Sequence, residues 1–460
     1  MFPSTLLAAA GTALFAIQSL AYVIPEGSIN ARGVVNPDRV RREIAPRQSA
    51  SAAASATPSA SSTGSGSGGS TLDLKLTNSA SGKMYAYIMG MDATNGKHVF
   101  YQEGASAWYY PSGSATKRQS TNTAIDATSN KLAIEVDGNS DKTITLPQYL
   151  DSGRVYIGAQ PMTFRMDASG NLVEPSPVDT SDANYDFAWG IVELAWLSTE
   201  LAADLSYVDS VALALGLKVT TTDGEEYEDA GLPAGSLKKV CDELAAVSDD
   251  WGNTCVKGSN GDLIRALAPA KYVSANSAGS LSTFFDSYID KVWEKYASTT
   301  LTINSQESTW GPNVTCKVSG GGNGSALTCQ QPDGNTYNYN KPTTMDVLGC
   351  NSGPFTNQGT NNYQSRTWPR LCAAFTRSTL LLDGGDVTPS SQIGASKYYT
   401  DDITNHFSRI VHEVVTPGKV GTGAYAFAFD DVNAPGTGEN ESGMFQVANA
   451  KSMEIMIRGT

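Results

Sequence analysis

Two acidic residues occupy positions where an apolar side chain is expected, and their chemistry is proton transfer. Glu193 lies in the run DFAWGIVELAWL, residues 186–197, and Asp209 in SYVDSVALALGLKV, residues 206–219. Side chains alternate along a strand, so Phe187, Trp189, Ile191, Glu193 and Ala195 share one face of the first run. Tyr207, Asp209, Val211, Leu213, Leu215 and Leu217 share one face of the second. Each carboxylate therefore interrupts an apolar row, and a carboxylate is rarely buried unless it is paired or used. On neighbouring strands lining one cleft, the two suit general acid and general base work. The plainer alternative is a solvent-facing strand Glu and a turn-closing Asp.

A second acidic group closes the chain. Residues 424–431, AYAFAFDD, read as an alternating strand running into Asp430 and Asp431. They are either a charged strand end or an acidic patch that accepts hydrogen bonds from sugar hydroxyls. The pair His412-Glu413, on an expected helix, reads as surface.

The elements that must position these groups follow from period. Leu72–Asn78, Lys83–Met91, His98–Glu103, Lys131–Val136, Thr143–Pro147 and Arg154–Gly158 read as short strands separated by turn residues, as in a sandwich or barrel. Helical spacing marks Ser236–Val247, Leu281–Tyr296 and Thr400–Val415, the last with Asp401 and Asp402 at its start. The region 307–362 reads mostly as loop and short strand. Strand returns at Ala424–Phe429, Gly443–Val447 and Ser452–Ile457. Both flanks are thus β, and the middle is mixed α and β.

Residues 1–21 form an apolar leader of secretory type, cut after Ala21, and residues 22–48 read as a pro-segment with the basic cluster RVRR. Residues 49–70 are nearly all Ser, Ala, Thr and Gly, a linker that cannot bury enough surface to offset its entropy. About 390 residues remain from Thr71, ample for a sizeable core. No other stretch suits a membrane helix. A net charge of −14 argues against nucleic acid and suits a neutral polymer or an acidic working pH. With three His and no Cys-x-x-Cys, a metal site or a Ser-His-Asp triad is not expected, nor is a cofactor.

The cysteines Cys241, Cys255, Cys316, Cys329, Cys350 and Cys372 are even in number behind a secretory leader, which implies disulfides. Of the ~15 pairings open to six cysteines, nearest-neighbour pairing is favoured, because each pair brackets a Gly- or Asn-rich turn. Asn313, Asn323 and Asn440 head glycosylation sequons, in keeping with an extracellular or cell-wall location. No coiled coil or repeat is present, and a monomer is expected.

Four segments together resemble glycoside hydrolase family 64, the laminaripentaose-producing type of β-1,3-glucanase: VEL at 192–194, SYVDSVALALGL at 206–217, FSRIVHEVV at 407–415 and AYAFAFDDV at 424–432. The resemblance runs from about Thr71 to Thr460 and keeps the order of the motifs. It implies a thaumatin-like β-barrel or sandwich lobe, about 71–225 plus 420–460 here. It also implies a mixed α/β lobe, about 226–419, and a wide acidic cleft between the two. It implies secreted hydrolysis of β-1,3-glucan with inversion, Glu193 as general acid and Asp209 as general base. Ser206, Asp430 and Asp431 are the expected substrate contacts. Two positions depart from the family, Ala195 and Leu197, where members carry Thr and Asn that touch sugar. The altered subsite leaves room for a different class of protein, a non-catalytic thaumatin-like glucan binder; a structural wall protein held by the linker is a third reading. Geometry poses a further test. Directly opposed in a hairpin, Glu193 and Asp209 would have Cβ atoms only ~4.5–5.5 Å apart, whereas inversion needs carboxyls ~6.5–9.5 Å apart. Trp196, on the other face of the strand from Glu193, is expected in the core.

Overall fold

The computed structural model describes residues 71–111, 123–167, 171–277, 279–306, 313–320, 325–356, 362–415 and 423–460. The leader, pro-segment, linker and Asn323 lie outside the described residues.

Two sheets face each other across the main core. The strands that matter for the site are β1 (Leu72–Asn78), β2 (Met84–Asp92), β3 (Ser140–Leu146), β4 (Leu150–Gly158), β5 (Trp189–Trp196), β6 (Leu201–Ser206), β7 (Leu215–Thr221), β8 (Phe445–Val447) and β9 (Ala450–Ile457). One sheet runs Glu226–Asp229, β7, β9, β1, β3. The other runs β8, β6, β5, β4, β2, then His98–Gln102 and Ala107–Tyr109, with Ile134–Val136 on β2. Alternation explains the packing. Leu72, Leu74 and Leu76 of the first sheet and Val192, Leu194 and Trp196 of the second fill one apolar core. The opposite face of β5 presents Trp189, which joins Tyr87, Met89, Phe100, Tyr156 and Phe164 in a second cluster. Central β5 is thus covered on both sides, which is why its sequence is apolar almost throughout. Trp196 is core, as expected, edge-on to Tyr149 at 5.0 Å between ring centres.

The middle of the chain supplies helices α1 (Ser236–Val247), α2 (Pro269–Ala275), α3 (Asp286–Ser298), α4 (Thr344–Gly349), α5 (Asn362–Thr376) and α6 (His406–Val414). α1 has the expected bounds, with Leu237, Val240, Cys241 and Leu244 buried at helical spacing. A further sheet pairs Thr336–Asn340, Ala326–Gln330, Asn313–Ser319, Leu301–Asn304 and Val387–Thr388 in that order. The three disulfides are Cys241–Cys255, Cys316–Cys329 and Cys350–Cys372, the nearest-neighbour pairing. Cys316 and Cys329 face each other in a ladder, so their Cα atoms lie only 4.0 Å apart.

Four expectations need correction. The second acidic strand does not run unbroken from Tyr207 to Leu217: β6 ends at Ser206, the chain bends through 207–209, and β7 begins at Leu215 in the other sheet. The segment 424–429 is not a strand; Tyr425 makes a single bridge to Ser206 and the chain then turns. α6 starts at His406 rather than Thr400, because the Asn405 side chain caps it by accepting from Ser408 N. Helices α2, α4 and α5 went unpredicted; two are short, and Pro369 inside α5 reads as a breaker.

Buried Asp229, opposite Leu217, carries a stability consequence. Burial pushes its carboxyl up to about 7, although Gly231 N donates to it. A raised acid holds its proton in the folded chain after the unfolded chain has lost it. Stability from this group is therefore full below the unfolded value of about 4. It is lost as pH rises toward about 7. Relative to Asp229→Asn, the wild type is expected to lose melting temperature across that window; a constant difference in thermal melts would count against it.

Candidate active site

Register decides which groups meet. Across four strands of the second sheet, Met89, Arg154, Glu193 and Asp204 form one row. The residue directly opposite Glu193 is therefore Asp204, not Asp209. Glu193 is 7% exposed and Asp204 2%. Arg154 Nε donates to Glu193 Oε1 at 2.9 Å, and another guanidinium nitrogen pairs with Glu174. Tyr156 OH donates to Glu174 Oε2 at 2.9 Å. Arg154 thus holds one oxygen of Glu193 and leaves Oε2 free of that contact.

Burial raises the proton affinity of Glu193; Arg154 opposes that, and the negative charges of Asp209 and Glu174 add to it. Asp204 is pushed well above the usual carboxylate range by burial first, then by Glu193 and Asp431.

Asp209 sits in the bend just after β6. Its carbonyl accepts Ala268 N at 3.0 Å, which ties the bend to the start of α2. Lys271 of α2 places Nζ 3.0 Å from Asp209 Oδ2. Asp209 Oδ1 is buried without a donor among the described residues. Asp209 also borders a small depression with room for about one water, lined also by Lys271, Asn351, Asn405 and Ala426. One carboxyl is thus secluded and the other is cation-paired beside that depression. The negative charge of Asp209 acts on Glu193 and raises its proton affinity.

The other expected residues divide. Ser206 ends β6 opposite Ile191, on the face that carries Glu193 and Asp204. Tyr425 bonds to Asp431, and the charge of Asp431 acts on Asp204, so Asp431 joins the acidic group. Asp430 does not. It is 0% exposed, and its carboxylate accepts from Arg377 at 3.0 Å, His412 Nε2 at 3.0 Å and Ala426 N at 2.9 Å. These contacts are all internal, so Asp430 serves as a buried counter-charge to Arg377 and His412. His412, expected at the surface, is partly buried against it, while Glu413 is exposed and pairs with Arg409. Among the sequons, Asn313 is exposed, whereas the Asn440 amide nitrogen is engaged by Met444 O at 3.0 Å. Among the described residues no His, Cys, Asp and Glu cluster could hold a metal.

Arg154, Glu174, Asp204 and Lys271 were missed in the sequence, and His412 was read as surface. Asp204 alone left a signal there: Ala202, Asp204 and Ser206 alternate in an apolar run like that around Glu193.

The β-sheet scaffold thus presents one secluded carboxyl, Glu193, and one cation-held carboxyl, Asp209. The chain belongs to glycoside hydrolase family 64, described as β-1,3-glucanase, whose profile matches residues 70–457. Two curated relatives are each named glucan endo-1,3-beta-glucosidase. One, from Cellulosimicrobium cellulans, is 26% identical over 374 residues, covering 79% of this chain and 62% of its own length. The other, from Arthrobacter sp. (strain YCWD3), is 27% identical over the same span and coverage. The chain therefore spans about three-fifths of the length of these relatives. Among solved structures, a laminaripentaose-producing β-1,3-glucanase in complex with laminaritetraose is similar with a TM-score of 0.71 and 25% identity, covering 84% of this chain and 98% of that one. A β-1,3-glucanase domain from Clostridium beijerinckii shares the fold, with a TM-score of 0.63 and 20% identity, covering 84% and 98%.

Proposed function

We propose that this chain is a secreted endo-β-1,3-glucanase that cleaves its substrate with inversion and releases short laminari-oligosaccharides. The observation that carries the reading is the unequal setting of Glu193 and Asp209. Glu193, buried and with its proton affinity raised, keeps a proton for the leaving glycosidic oxygen. Asp209, held by Lys271 beside the small depression, accepts a proton from the attacking water. As that water adds to the anomeric carbon, the C–O bond to the leaving sugar breaks and takes the proton of Glu193. The charges on the two carboxyls exchange, and solvent resets them.

Asp204, directly opposite Glu193 in register, is the group to weigh for a retaining pair, which needs carboxyls ~5–5.5 Å apart. It is buried, and burial and the charge of Glu193 raise its proton affinity, which unsuits it as a nucleophile. Asp209 lies beyond the strand end, which relieves the crowding that a direct hairpin pair would impose. Ser206 and Asp431 are the proposed sugar contacts. The two facing sheets are read as a thaumatin-like lobe, about 71–225 and 420–460, and residues 226–419 as the mixed lobe across a glucan cleft. Residues 1–21, 22–48 and 49–70 are read as leader, pro-segment and linker of a monomeric wall-directed protein.

Laminarin digestion followed by proton NMR tests the mechanism. The first-formed new reducing ends are expected as α-anomers, since inversion at a β-linkage gives α. First-formed β-anomers would replace inversion with retention, and no release of sugar would leave only a glucan-binding protein.

A further inference from the structure

The carboxyl of Asp204 has no assigned task, and its surroundings are unusual. It is 2% exposed, and no donor reaches its Oδ1 among the described residues. It faces Glu193 across the β5–β6 pair. Directly opposed Cβ atoms lie ~4.5–5.5 Å apart, close enough for the two carboxyls to touch. The cation that acts on it, Arg154, is paired with Glu193 and Glu174. An ionised carboxylate so buried and unmatched is costly, so a proton must reside on the pair. We propose that Asp204 is a positioning residue that shares one proton with Glu193 and so keeps the acid loaded.

The inference rests on Glu193 being the acid of the proposed hydrolase. The charged and titratable groups around the pair are Arg154, Glu174 and Tyr156 toward β4, Asp209 from the bend, Asp229, and Asp431 with Tyr425 from the closing turn. With one proton the pair carries a single negative charge. When Glu193 protonates the leaving oxygen the pair carries two, and repulsion between them drives uptake of a proton from solvent. Without Asp204 the acid loses its like-charged neighbour and ionises at lower pH.

The test compares wild type with Asp204→Asn, which keeps the shape and removes the charge. The pH profile of kcat on laminarin is expected to lose its alkaline side, the limb moving down by roughly one pH unit, with KM little changed; at the pH of the wild-type limb that is a loss of about tenfold. A loss spread evenly over all pH values, with the limb unmoved, means a merely structural role and overturns the proposal. A second measurement needs no Asp204 variant. Infrared titration of the protonated-carboxyl band should show Glu193→Gln releasing a proton at lower pH than wild type, because Asp204 has lost its partner. An identical titration also overturns the proposal. Absence of sugar release by wild type would instead overturn the hydrolase reading, which the infrared comparison does not depend on.

Discussion

Glu193→Gln is expected to lower kcat on β-1,3-glucan by about 10²–10⁴-fold, the range for losing a positioned general acid, with substrate affinity little changed. Gln fills the same space and can still accept from Arg154 Nε, so the row Arg154–Glu193–Asp204 keeps its packing. What it lacks is a proton to give. The control is a substrate whose leaving group needs no protonation. An activated aryl β-laminaribioside should recover most of the rate in Glu193→Gln. Asp209→Asn should be equally slow on both substrates, since water still lacks its base. Retention of glucan hydrolysis by Glu193→Gln, or recovery by both variants alike, would mean the two roles are misassigned.

Arg377→Ala is expected to cost about 3–5 kcal/mol of folding stability, the range for breaking one side of a buried ion pair. Arg377 is 3% exposed at its side chain and Asp430 0%. The guanidinium also donates to the carbonyls of Asp430 and Val432 and lies over the ring of Tyr398 at 4.4 Å. Removing it leaves Asp430 buried with His412 and Ala426 N. Burial alone would raise Asp430, but His412 and Arg377 hold it below the usual range. Burial would depress His412, but Asp430 holds it raised. The signs oppose each other usefully. Stability from Asp430 is lost as pH falls through its depressed value, and that from His412 as pH rises through its raised one. Urea unfolding midway between, near pH 5–6 by the ordinary values of the two groups, reads the full effect. A loss below about 1 kcal/mol there, the ordinary size of a surface pair, would remove Asp430 from its structural role.

Much of the frame was legible because alternation is a local signal. The core face of β5, the separate strands β1 and β9 and the bounds of α1 all follow from period alone. Glu193 stood out for the same reason. Asp209 was placed on a strand because Tyr207, Val211 and Leu213 continue an apolar alternation, yet the chain there leaves one sheet for the other. A crossing between two buried layers is as apolar as a strand, so period cannot separate them. Asp430 and Asp431 look equivalent in sequence, but a turn sends one inward to Arg377 and leaves the other beside Tyr425. Arg377 is 53 positions from Asp430, and Lys271 is 62 from Asp209, by subtraction of their numbers; partners so remote leave no local trace.

The strand β9 lies between β7 and β1 and runs parallel to β1, with Thr77 hydrogen-bonded to Glu454 across 377 positions. During synthesis β1 therefore waits, that edge unpaired, until β9, some 377 positions on, has left the ribosome. Long-range pairing of this kind is slow to nucleate and open to aggregation meanwhile. A producing cell must shield that waiting edge, and heterologous yield should respond more to holding chaperones than to changes at the catalytic carboxyls.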